Sequence, residues 1–354
     1  MCEQVKEEGE GISRREFLAR TGAAVAGAAI AGTGAGAAKA AEPDGRIVLG
    51  TGEHRYECVH DWLKPPDDIR WGDTHGVAQD SQGRIYIAHT VHPTSAKDDA
   101  IVVFDRKGRF LSSFGARFKG GAHGLDLRKE GDREYLYHCD IAHKQVVKTT
   151  LEGQVVWEKG APGEAGVYRG GAPFVPTNVA FSPNGDFYVT DGYGSDYIHQ
   201  YTLKGDYVRT FGGKGKEPGR VLNAHGIWLD TRGSEPLLAV ADRGNSRIQY
   251  LTLEGKHVRF VTDGMRQPCH FHFRGELMLV PDLKSVVTLL DGDNKVVAAL
   301  GDGDPSSLRD HPRSDFLPGK FVHPHSAKFL HNGDILVVEW VPIGRVTLLR
   351  RLKA

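Results

Sequence analysis

Ala122-His123-Gly124-Leu125 and Ala224-His225-Gly226-Ile227 are two copies of one phrase. Four looser copies stand at Thr74-His75-Gly76-Val77, Pro176-Thr177-Asn178-Val179, Pro268-Cys269-His270-Phe271 and Pro324-His325-Ser326-Ala327. Each copy opens on a small residue or proline, passes through one variable slot and enters a short apolar stretch. The slots are 48, 54, 48, 44 and 56 residues apart. A self-similar period of that length is the mark of a repeat architecture and governs how the intervening segments are read.

Within each repeat the turn residues fall where hairpins need them. Ser81-Gln82-Gly83, Pro183-Asn184-Gly185 and His331-Asn332-Gly333 separate a first from a second strand. Second strands such as Ile85-Tyr86-Ile87 and Phe187-Tyr188-Val189 follow, then β-branched third strands such as Ile101-Val102-Val103-Phe104. Glycine turns at Lys107-Gly108, Glu152-Gly153, Lys204-Gly205 and Glu254-Gly255 lead into a fourth strand. No helical period runs through these units. Four antiparallel strands repeated six times predict an all-β, six-bladed β-propeller, in which radial repetition protects the sheet edges. The last repeat ends after its third strand, so residues 46–62, which have no repeat of their own, are expected to supply the missing fourth strand and close the ring.

Residues 1–40 read as an export signal and 41–354 as the propeller. Ser13-Arg14-Arg15-Glu16-Phe17-Leu18 is a twin-arginine motif, residues 23–38 are a weakly apolar Ala/Gly run, and Ala38-Lys39-Ala40 is a small-x-small cleavage pattern. The run falls short of the roughly 20 strongly apolar residues of a membrane-spanning helix. The expected partner during export is the twin-arginine translocase, the expected location is periplasmic or otherwise extracytoplasmic, and no membrane contact is expected after cleavage. Lys plus Arg and Asp plus Glu each number 45, giving a formal net charge of zero. With no basic excess there is no electrostatic reason to expect nucleic-acid binding. The mature chain is expected to be a monomer acting on a small-molecule or peptide-like substrate. Beyond Cys2, the cysteines Cys58, Cys139 and Cys269 are odd in number and form no CxxC pair, so neither a disulfide framework nor a cysteine zinc knuckle is indicated.

In a propeller the first strand of each blade lines the central channel, and six blades set equivalent positions about 60° apart. The six slots therefore form a ring of His75, His123, Thr177, His225, Cys269 and His325. Alternate blades give the triangle His123, His225, His325, whose imidazoles match an open His₃ catalytic zinc site. With no carboxylate or thiolate joining that triangle, zinc is favoured over iron or copper. His75 is a candidate fourth ligand or outer-sphere group, and Cys269 either a soft ligand or a small buried hydrophobe.

First and second strands form a hairpin, so residues just past each second strand neighbour the ring. They are His89-Thr90, Asp140-Ile141, Asp191-Gly192-Tyr193, Asp242-Arg243, Asp282-Leu283 and Glu339-Trp340. The recurrent acid is expected to cap the turn into the third strand. Tyr193 and Arg243 depart from the repeat pattern and face the triangle. A phenol beside a guanidinium and a metal loses its proton more readily, as a general base must.

From Gly76 to Leu349 the chain resembles the NHL-repeat propellers, and among them peptidyl-α-hydroxyglycine α-amidating lyase. The most specific stretches are Ala122-His123-Gly124-Leu125, Val189-Thr190-Asp191-Gly192-Tyr193, Val240-Ala241-Asp242-Arg243 and Pro324-His325. The resemblance implies that His123, His225 and His325 hold a catalytic zinc, that Tyr193 is the catalytic tyrosine, and that Arg243 is one of two active-site arginines. It implies cleavage of a carbinolamide into an amide and an aldehyde acid. The second arginine of the family falls on Thr90, beside His89. The family's aspartate ligand for a structural calcium is Ser326, its methionine before the last histidine is His323, and its cysteine after the tyrosine is Gly194. His75, His89, Cys269 and His323 are thus candidate outer-sphere residues, and calcium is a possible but weakened expectation. Two other readings remain: a propeller lactonase or related hydrolase, and a non-catalytic cell-envelope binding propeller.

Overall fold

The computed structural model describes residues 45–303 and 308–353. The twin-arginine segment lies outside the described residues. The rest is an all-β, six-bladed propeller whose only helical turns among the described residues are five short 3₁₀ segments.

Blade one is the antiparallel meander Thr74–Gln79, Ile85–His89, Ile101–Phe104, Phe110–Phe114. Blades two to four repeat it, opening at Ala122–Glu130, Asn178–Phe181 and Ala224–Asp230. Blade six joins Pro324–Phe329, Ile335–Glu339 and Arg345–Arg351 to Tyr56–Val59, with Cys58 opposite Leu349, and then to Val48–Leu49. The burial pattern follows from distance to the channel. The first three strands of blade one are buried at every position, whereas its outer strand Phe110–Phe114 is largely exposed. Apolar side chains of neighbouring blades mesh face to face, as Val77, Ile87 and Val102 do with Leu336 and Val338.

In blades three to six the acid at the end of the second strand does more than cap a turn. Asp191 accepts from Ser195 N (2.8 Å) in the turn that follows, and from Val175 N (2.6 Å) in the loop leading into its own blade. Asp282 likewise binds Lys284 N on one side and Arg266 N and Gln267 N on the other. Glu339 accepts from Val322 N at 2.7 Å. These carboxylates tie the loops at one mouth of the channel to the blade edges.

Blade five departs from the repeat. Its first strand is only His272–Arg274, beginning beyond the Pro268-Cys269-His270-Phe271 opening, which retains one isolated bridge from Pro268 to Asp282. Pro268 and Pro281 both lack an N–H at this point of the ladder, and the segment is held by Cys269 N to Pro281 O (2.9 Å) and Leu283 N to Gln267 O (3.1 Å). Cys58, Cys139 and Cys269 are all free and buried. Among the described residues no helix is long and apolar enough to cross a membrane.

Candidate metal centre

All four slot histidines sit at β-bulges. In blade one Thr74 pairs with His89 and Gly76 with Ala88, which leaves His75 as the extra residue. The pairing slips at the same place around His123, His225 and His325. A bulge inserts one residue and re-aims its side chain, here into the channel. Thr177 and Cys269 precede their strands and carry no such shift.

The centroids of His123, His225 and His325 stand 4.6 to 4.8 Å apart, with ring planes 73° to 89° to one another. Each aims Nδ1 at the slot carbonyl of the next blade: His123 at Thr177 O (2.9 Å), His225 at Cys269 O (2.8 Å) and His325 at His75 O (2.9 Å). A carbonyl only accepts, so the hydrogen is assigned to Nδ1 and the Nε2 lone pair is turned inward. The glycine after the histidine makes room for that carbonyl. A Cβ on Gly124 would meet Thr177 O at 2.4 Å, and one on Gly226 would meet Cys269 O at 2.4 Å. At His123 and His225 the His-Gly pair is thus one device, a donor and the gap that admits its acceptor, whereas His325, followed by Ser326, reaches His75 O without it.

His75 joins the ring without obeying its rule. Its Nδ1 lies 3.2 Å from His325 Nε2, and ligand atoms of His75, His123 and His325 all fall within 4.8 Å of one another. That cluster shares two members with the expected triangle and exchanges His225 for His75, which lies on the opposite blade. His225 Nε2 is nevertheless only 3.2 Å from His123 Nε2. The structure therefore brings four imidazoles together where symmetry selected three. Burial is the leading cause holding all four well below the ordinary histidine range, His123 down to about 3. They stay neutral, the form that binds a metal.

Tyr193 and Arg243 arrive where the hairpin geometry put them. Tyr193 Oη is 3.0 Å from His225 Nε2 and 3.2 Å from His123 Nε2, and Arg243 Nη2 donates to it at 3.2 Å. The electrostatics differ from the expectation: burial raises the phenol above its ordinary value, and Arg243 only pulls against that. Asn223 went unnoticed in the sequence. Its Oδ1 accepts from Arg243 Nε (2.7 Å) and its Nδ2 donates to Gly192 O (3.1 Å), so one side chain sets both the guanidinium and the Tyr193 loop. Asparagine tolerates the left-handed φ of 54° found there. The only sequence cue was an asparagine just before the blade-four phrase.

Cys269 is fully buried. Its Sγ lies 3.7 Å from Arg243 Nη1, and burial pushes the thiol up to about 11, so it packs as a neutral group beside the guanidinium. Two candidates are not brought to the ring. His89 spends both ring nitrogens on its own blade: Nε2 on Asp99 O, and Nδ1 on Gly72 N and Val91 N. His323 donates to Leu283 O at 2.6 Å and packs on Trp340. Thr90 is half-buried beside Gly72 and Asp73, and its backbone N–H bonds Asp73 O. Gly194 has no room for a side chain, since a Cβ would strike Asp191 Oδ1 at 2.0 Å and Pro173 O at 2.5 Å. Deeper in the channel Ser326 Oγ lies 3.3 Å from His270 Nδ1, and Asp126, the carboxylate of that tier, is engaged by Asn178 at 3.2 Å and His270 at 3.7 Å.

No family model matches the chain. Among curated proteins it is similar to the probable peptidyl-alpha-hydroxyglycine alpha-amidating lyase of Caenorhabditis elegans, 29% identical over 189 residues, or 49% of this chain and 51% of that protein. The peptidyl-glycine alpha-amidating monooxygenase of Mus musculus is 28% identical over 58% of this chain and 23% of its own length. Peptidyl-alpha-hydroxyglycine alpha-amidating lyase 2 of Drosophila melanogaster is 24% identical over 79% and 71%. The chain thus spans about half of the first of these and about a quarter of the second. Among solved structures, a streptogramin B lyase matches with TM-score 0.53 and 13% identity over 83% of this chain and 97% of its own. A candidate gluconolactonase matches with TM-score 0.55 and 13% identity over 86% and 96%. These two likenesses are of the propeller fold alone.

Proposed function

We propose that this chain is an exported, zinc-dependent lyase that cleaves a carbinolamide, a carbon bearing both a hydroxyl and an amide nitrogen, into an amide and an aldehyde acid. The observation that carries the reading is the position of Tyr193 Oη, within 3.2 Å of His123 Nε2, His225 Nε2 and Arg243 Nη2 at once. The sequence likeness to amidating lyases supports the reaction class. Export rests on the motif at residues 13–18 and the pattern at 38–40.

The donor set fits the metal: three neutral imidazoles, each held through Nδ1 by a backbone carbonyl, with Nε2 free to ligate. When bound, zinc supplies positive charge that polarises a substrate oxygen and eases ionisation of a neighbouring phenol. Tyr193 Oη, as phenolate, accepts the substrate hydroxyl proton. The oxygen's electron pair becomes the aldehyde C=O as the C–N bond breaks, and its electrons leave with the amide nitrogen. That nitrogen takes up a proton, which Tyr193 can return. Arg243 stabilises the phenolate by charge and by its hydrogen bond to Oη. Asn223 holds the guanidinium for both tasks.

Purified full-length chain should carry about one zinc per molecule and release glyoxylate from an α-hydroxyglycine peptide. A zinc content below about a tenth of an equivalent, unchanged in His123→Ala, would sink the metal and the lyase together. A zinc-loaded protein inert toward such peptides would overturn the carbinolamide assignment alone.

A further inference from the structure

His75 is the slot histidine whose Nδ1 faces the ring instead of a carbonyl, and its contact with His325 admits only two chemistries. His325 Nδ1 donates to His75 O at 2.9 Å, so His325 Nε2 carries a lone pair. His75 Nδ1 stands 3.2 Å from that lone pair. If His75 Nδ1 bears a hydrogen, it bonds His325 Nε2 and withdraws it from any metal. If it bears none, two lone pairs converge and only a cation between them makes the contact favourable.

The His123–His225 pair points to the second, since the single hydrogen of the Tyr193 hydroxyl beside it can serve only one of two lone pairs. Both rings have given their Nδ1 hydrogen to a carbonyl, yet their Nε2 atoms approach to 3.2 Å. Zinc–nitrogen bonds of about 2.0–2.1 Å put two donors of a tetrahedral ion about 3.3–3.4 Å apart. The two nitrogen pairs, His75–His325 and His123–His225, lie close to such an edge, and the wider spacing of up to 4.8 Å among His75, His123 and His325 would close as the four rings draw onto the ion. His75 is also bulged into the channel as the other three are, is only 5% exposed, and belongs to the cluster within 4.8 Å.

Resting on the zinc reading above, we propose that the centre has four protein nitrogen donors, His75 Nδ1 together with Nε2 of His123, His225 and His325. The fourth donor closes the ring on the side of blades six, one and two. Polarising a substrate oxygen then requires the ion to take a fifth donor, and the Tyr193 and Arg243 side chains mark the side from which that oxygen would approach.

X-ray absorption of the zinc-loaded wild-type chain should count four imidazoles in the first coordination shell. In a competition titration against a chromophoric chelator, His75→Ala should weaken zinc binding by more than the ~10–100-fold that outer-sphere partners cost. Its cobalt(II)-substituted form should show altered visible absorption. A count of three imidazoles in wild type, with His75→Ala binding zinc within about threefold of wild type, would overturn the fourth ligand and leave the triangle standing. A wild-type chain that takes up no zinc would overturn both readings.

Discussion

The carbonyl oxygen of Cys269 passes so close to Gly226 that a Cβ there would meet it at 2.4 Å, and the same oxygen accepts the Nδ1 hydrogen of His225 at 2.8 Å. Replacing a residue that touches no metal should therefore disturb a ligand. Gly226→Ala is expected to push the carbonyl away, free His225 to rotate, and lower zinc affinity about 10–100-fold. The chelator titration reads this directly. Affinity equal to wild type in a folded Gly226→Ala chain would show that the carbonyl does not orient the ring.

Tyr193→Phe keeps the ring and removes the proton acceptor. Zinc content should be unchanged, while turnover of an α-hydroxyglycine peptide falls by about 10²–10⁴-fold, the usual worth of a positioned acid–base group. Substantial activity in the zinc-loaded variant would exclude Tyr193 as the base.

Arg243 grips Asn223 through Nε and Tyr193 through Nη2, with its carbon 5.4 Å from the tyrosine ring centre. Lysine has the charge but not the fork. Arg243→Lys should lower kcat and move the ascending limb of the pH–rate profile to higher pH, because the phenolate loses a hydrogen-bonded cation. An unshifted profile would show that Arg243 does not act on Tyr193.

Arg345 and Glu339 are both fully buried in blade six. Arg345 donates through Nε and Nη2 to the two Glu339 oxygens and through Nη2 to Lys320 O, while its Nη1 has no partner. Glu339→Gln leaves an uncompensated buried cation and should cost about 3–5 kcal/mol, read as a lower denaturant midpoint at unchanged m-value. A change below about 1 kcal/mol would mean water reaches the pair.

Burial holds His89 and His199 at about 4 and His138 at about 3, against 6.5 when unfolded. The unfolded chain then binds more protons, so their stability is fully present above pH 6.5 and is lost as pH falls toward 4, by about 1.4 kcal/mol per pH unit for each histidine. Asp191, raised to about 6 chiefly by burial, gains its proton in the folded chain over the same window and offsets one of them. Urea titrations at pH 7, 6 and 5 should show a steep decline, and a flat profile would contradict neutral burial.

Much of the ring was legible because a propeller turns a linear period into angular positions. One variable residue per repeat was enough to place His123, His225 and His325 around an axis and Tyr193 beside them. The bulges were not legible, since they depend on strand pairing and the phrase shows only a glycine. His89 shows where the rule overreaches. Standing at the end of a second strand brings a residue to the right face, but the Gly72 and Val91 amides and the Asp99 carbonyl claim its ring first. Nor could the period reveal Asn223 or the fourth imidazole's inward turn, which arise from individual side-chain contacts.

Blade six is stitched from distant parts of the chain: Glu57 bonds Arg350 across 293 positions, and Tyr56–Val59 lies against Arg345–Arg351. His325 stands on the Pro324–Phe329 strand of that same sheet. A chain stopped short of residue 324 would therefore lose the clasp on Tyr56–Val59 and the His325 imidazole together, and the one lesion would open the ring of blades and the ring of histidines alike.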